Sequence, residues 1–133
     1  MAGLVAASCS PQKKPMNPPP AKDIHSYSNP QAVRVTHLDL DLDVRFEEKI
    51  LAGAVTLDVE RLAEGPLILD TRGLAIEHAE ADHGTGFHKA AFELGPADPI
   101  LGAPLTIHVP KEVTQVRVAY RTTPGATALQ WLE

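Results

Sequence analysis

The segment Val33 to Glu60, VRVTHLDLDLDVRFEEKILAGAVTLDVE, alternates apolar and polar residues over most of its length. Leu38, Leu40, Leu42, Val44 and Phe46 interleave with His37, Asp39, Asp41, Asp43 and Arg45. Period two belongs to an extended strand, whose successive side chains point to opposite faces. The segment predicts a β-hairpin with one dry face and one wet face. Phe46 and Leu51 flank a loop from Glu47 to Ile50, a four-residue length commonly built on a type I turn. This register sets Val44 opposite Gly53, Leu42 opposite Val55, Leu40 opposite Leu57 and Leu38 opposite Val59. The dry face is then apolar apart from Gly53, and it is expected to be the internal core of the domain. Gly53 is expected to mark a bulge or a close backbone approach. On the wet face Asp39 would oppose Asp58. Like charges directly opposite destabilise a sheet, so Arg117 is expected beside them.

Further strands follow. PLILD (Pro66 to Asp70) and Leu74 to Glu80 read as two strands joined by a turn at Thr71-Arg72-Gly73. Gly84 to Gly86 breaks the pattern. Phe87 to Leu94 is a weaker strand, and Gly95 to Pro104 reads as a loop. Leu105, Ile107 and Val109 are expected to point inward. Gln115 to Arg121 closes the series, with Val116, Val118 and Tyr120 on one face. Short strands separated by turn signals predict an all-β fold, a saddle-like or sandwich arrangement of mostly antiparallel strands.

The N-terminal part is different. Residues 10–30 form a Pro-rich linker, in which PQKKPMNPPPAK holds five prolines and has almost nothing to bury. The tail is expected to be disordered until HSYSNP (His25 to Pro30) begins to dock. Residues 1–9 resemble a truncated lipoprotein signal, since AGLVAASCS places small residues just before Cys9. Cys9 is therefore a candidate for lipidation and membrane attachment. Ala6 stands where such signals usually carry Leu, and the segment lacks a basic start. A lone cysteine excludes an internal disulfide framework. The net charge of -5 and the lack of a basic stripe argue against a nucleic-acid partner.

The chain offers little chemistry of its own. His83 and His88 lie five apart in a glycine-flanked loop, whereas helical metal pairs are four apart and catalytic zinc takes three protein ligands. They read as an exposed loop. His37, His78 and His108 fall at outward or rim positions on strands. Asp39, Asp41 and Asp43 resemble the start of a calcium loop, but Val44 and Ile50 stand where such a loop needs Gly and Glu. They read as a solvated strand face. No serine sits in a nucleophile elbow. Glu47, Glu48, Glu77 and Glu80 show no burial signal suited to acid–base work. No catalytic, metal or substrate-binding residue is assigned, and no cofactor is expected in this chain.

Four segments in order resemble the N-terminal domain of zinc aminopeptidases of the aminopeptidase N and leukotriene A4 hydrolase family. They are HSYSNP with VRVTHLDLDLDVRF, then LAGAVTLDVE, then LILDTRGLAIE, then VRVAYRTTPGATALQWL. The bacterial leukotriene A4 hydrolase-like branch is the most similar, through Ala128 to Leu132. The resemblance implies a β-rich, saddle-shaped, non-catalytic domain over residues 31–133, incomplete at its C-terminus. Its partner would be a thermolysin-like catalytic domain, which would hold zinc and bind peptide substrates. The H-E-x-x-H, G-x-M-E-N and Q-x-Q motifs of that family are absent from this sequence. A parent at the bacterial cell envelope is expected, with a cytoplasmic enzyme as the alternative. A standalone β-sandwich lipoprotein acting as a binding module is the competing functional reading.

Overall fold

The structure, a computed structural model, describes Gly3 and residues 22–132. Cys9 and the tail and linker readings over residues 4–21 lie outside the described residues. The described residues form eight strands and no helix: β1 (Val33–Arg45), β2 (Ile50–Arg61), β3 (Leu67–Thr71), β4 (Leu74–Asp82), β5 (Phe87–Ala90), β6 (Phe92–Leu94), β7 (Ala103–Ile107) and β8 (Gln115–Thr122). They build two open sheets. The larger has the order β1-β2-β8-β4-β5 and the smaller β3-β7-β6. Every pairing is antiparallel.

The core lies between the sheets. Leu67, Leu105 and Ile107 of the small sheet meet Leu57, Val59, Ala79, Ala81, Val116 and Val118 of the large one. Ile107, Val116 and Ala79 are fully buried. Leu105 and Ile107 point inward as the alternation predicts, with Val109 partly buried against them.

Two bulges keep the core face continuous. In β1 the register shifts between Val35 and His37, so Val33 and Val35 share a face with Leu38 and Leu40. In β4 it shifts between Ile76 and His78, which brings Ile76 onto the face of Ala79 and Ala81. An extra residue in one strand reverses its odd–even phase, and simple alternation does not reveal it.

Four expectations are corrected. The hairpin register is two residues away from the predicted one: Val44 faces Leu51, Leu42 faces Gly53, Leu40 faces Val55 and Leu38 faces Leu57. The loop is Phe46 to Lys49, closed by Lys49 in the left-handed region at φ 55°. A slip of two preserves the faces, so the apolar pattern could not distinguish the registers. Asp39 consequently opposes Thr56, and Asp58 opposes His37. Arg117 does not neutralise Asp39 or Asp58: it is tied to Glu80, while Gln115 Nε2 donates to Asp58 Oδ1 at 2.7 Å.

Third, the dry face is buried along only part of its width. Along β2 it is buried at Leu57 and Val59, but along β1 Leu38 is 52% exposed, Leu40 58% and Val44 46%. The small sheet has only three strands and covers β2, β8 and β4 far better than β1. Fourth, Phe87 to Leu94 is two strands. β5 pairs with β4 in the large sheet and β6 with β7 in the small one, so the chain changes sheets at Ala91.

Gly53 makes the expected close approach. A Cβ there would lie 2.0 Å from the Asp41 carbonyl oxygen. No register shift occurs at Gly53 itself.

Candidate functional site

The polar face of the large sheet carries a broad, open hollow. Asp39, Asp41 and Asp43 of β1, His78 and Glu80 of β4 and Arg117 of β8 border this hollow of about 690 Å³. Alternation on β1 and the bulge in β4 place these side chains on one face. Arg117 organises its centre. Its Nε donates to Glu80 Oε2 at 2.8 Å, Nη2 lies 2.8 Å from the same oxygen, and the guanidinium sits 4.1 Å from the Phe87 ring centroid. Arg45 Nε donates to Asp43 at 3.0 Å, and His37 lies 3.6 Å from Asp39. The hollow is lined by surface charges, several of them paired with one another.

The remaining sequence candidates are scattered. His83 and His88 stack face to face with centroids 5.4 Å apart, and His88 Nε2 is 3.2 Å from Thr85 Oγ1. His108 faces Glu93 at 3.8 Å. Glu48 lies 3.7 Å from Arg45. Among the described residues, no three His, Cys, Asp or Glu side chains come together as a metal-binding group. The zinc implied by the family resemblance therefore has no matching donor set here.

Two carboxylates are held below their ordinary range by backbone N–H groups. Asp82 accepts from Gly84 N at 2.6 Å and Gly86 N at 3.1 Å, with the Gly84 bond the main cause. Asp98 accepts from Leu101 N and Ile100 N, and these bonds lower it in the same way. Both close turns, and stabilising the ionised form is what such bonds do.

The family-like motifs act as fasteners. Asp70 Oδ2 accepts from Ser26 Oγ at 2.6 Å and Asp70 Oδ1 accepts from Tyr27 N at 2.9 Å. Thr71, 8% exposed, donates from Oγ1 to the Ala103 carbonyl at 2.8 Å. HSYSNP is thus clasped by the LILDT segment, 43 residues later in sequence. At the other end Trp131 stands edge-on against Phe46, with centroids 6.0 Å apart. These roles were not assigned from the sequence. The co-occurrence of HSYSNP and LILDT was visible, but their contact depends on strand order.

No protein-family profile matches the chain. Individual proteins do. The chain is 38% identical over 132 residues to leucine aminopeptidase 2 of Yarrowia lipolytica, covering 96% of this chain and 20% of that protein. It is 32% identical to leukotriene A-4 hydrolase of Xenopus laevis, over 83% of this chain and 19% of that protein. The fold superposes on native leukotriene A4 hydrolase from Saccharomyces cerevisiae with a TM-score of 0.75 and 33% identity, covering 85% of this chain and 18% of that one. A structure of yeast leukotriene A4 hydrolase in complex with bestatin gives 0.74 and 30%, over 93% and 19%. The chain spans about one fifth of the length of these relatives.

Proposed function

We propose, from the premise that this chain matches the N-terminal domain of the aminopeptidase N and leukotriene A4 hydrolase family, that it is the non-catalytic N-terminal part of a zinc aminopeptidase. The observation that carries this reading is the 38% identity along nearly the whole chain, confined to one fifth of the relative. The parent enzyme removes N-terminal residues from peptides. Zinc and the reacting groups belong to its remainder, and this chain supports that remainder and shapes one wall of the cleft.

The test is a chimera in which residues 22–132 replace the matching segment of the Yarrowia lipolytica enzyme. A folded chimera should release aminoacyl reporter groups in a chelator-sensitive way, and the 133-residue chain alone should not. A folded but inactive chimera would overturn the reading. So would chelator-sensitive activity in the isolated chain.

The cell-envelope location rests on AGLVAASCS alone. Mass spectrometry of the protein expressed in a bacterial host with an upstream start should find acyl chains on Cys9. An unmodified cytosolic product rules this placement out.

A further inference from the structure

We propose that β1 receives an additional β-strand from outside these 133 residues, apolar on one face and cationic on the other. β1 is the edge of the large sheet and is 13 residues long. At roughly 3.3 Å per residue its free edge runs about 40 Å. A long edge strand is an association hazard that proteins ordinarily shorten, charge, bend with a bulge or cover; β1 carries acidic residues and the bulge at Thr36, but it is neither short nor covered. Here Leu38, Leu40 and Val44 form an uncovered strip on the core face, and Phe46 beyond them is 74% exposed. The opposite edge strand, β5, has only four residues.

The charge of β1 selects the occupant. A second copy pairing antiparallel about Asp41 would set Asp39 against Asp43 and Asp41 against itself. Like charges directly opposite are destabilising. Asp43 is already bound by Arg45, and His37 stands near Asp39. Asp41 has no side-chain partner among the described residues, so the incoming strand should bring a lysine or arginine beside it.

The source of the strand rests on the function proposed above: it is the remaining four-fifths of the parent enzyme. Its chemistry can be tested without that enzyme. The chain is extended through a Gly/Ser linker by a nine-residue Val/Lys alternating strand, or by a Val/Glu control. A short linker supplies an effective concentration of about millimolar. Amide hydrogen exchange in β1 should slow about tenfold or more with Val/Lys, and much less with Val/Glu. No protection by Val/Lys, or equal protection by both, overturns the proposal. So does a dimer of the unextended chain that Leu40→Lys disperses, because that identifies a second copy as the occupant.

The chimera tests the source. Its β1 amides should exchange more slowly than those of the isolated chain, and Leu40→Lys should lower the melting temperature of the chimera but not of the isolated chain. An active chimera with unprotected β1 defeats this inference alone. A protected β1 in a folded, inactive chimera defeats the enzymatic reading alone.

Discussion

β8 and β1 lie on the same sheet, present apolar residues to the same face, and end in opposite conditions. Val116 and Val118 of β8 are 0% and 2% exposed, while Leu40 of β1 is 58% exposed. From His37 onward the alternation of β1 is as regular as that of β8. What separates them is the layer above: β3, β7 and β6 pack over the β8 side and, beyond Val33, leave most of β1 bare. Period two shows which side chains share a face; whether that face is buried depends on a second element that the strand does not encode.

Truncation gives the sharpest break between the two regions. Leu67→Ala, at a 1% exposed position of the small sheet, should destabilise the chain by about 2–5 kcal/mol in urea denaturation. Leu40→Ala should change stability by no more than about 0.5 kcal/mol. Equal losses would mean that β1 is covered within this chain and that the division of the sheet is wrong.

Glycines sharpen the contrast. A Cβ at Gly102 would lie 2.1 Å from the Thr71 carbonyl oxygen, and at Gly53 2.0 Å from that of Asp41. The clashes are alike, but their surroundings differ. Both glycines have a positive φ, +79° at Gly102 and +157° at Gly53, but Thr71 is buried between β7 and the core. Asp41 belongs to an edge strand that is free to shift. Gly102→Ala should therefore cost about 1–3 kcal/mol and Gly53→Ala less. The same denaturation measurement decides, and a reversed order would show that β1 is the more rigid element.

Much of this architecture was legible. The strands, the all-β class and the inward residues of β7 and β8 follow from alternation and turn residues. The two-residue error in the β1–β2 register was not avoidable by pattern, because both registers keep every side chain on its face. The bulges at Thr36 and Glu77 were hidden for the opposite reason: each shifts phase where the sequence has no glycine or proline. Phe87 to Leu94 looked continuous because nothing in the residue types signals a change of sheet. Arg117 was correctly placed on the wet face, but its partner depends on strand order, which puts Glu80 of β4 beside β8. The clasp between Asp70 and HSYSNP became visible only with the fold.

The smallest expected effect separates the acidic residues of the two regions. Asp82, at the end of β4, accepts backbone N–H bonds from Gly84 and Gly86, which hold its carboxyl below the ordinary range. A carboxylate whose folded value is depressed stabilises the fold above the unfolded value, about 3.9, and loses that contribution as pH falls through the folded value. Asp82→Asn keeps an acceptor but cannot ionise. It should lower the melting temperature slightly at pH 7, and the gap to the unsubstituted chain should close as pH drops below about 3.9. Asp41→Asn, on the uncovered strand, should leave the melting temperature of the isolated chain unchanged at pH 7. If Asp41→Asn lowers it at pH 7, then Asp41 already has a cationic neighbour within this chain, and the strand proposed to pair with β1 no longer needs to supply one.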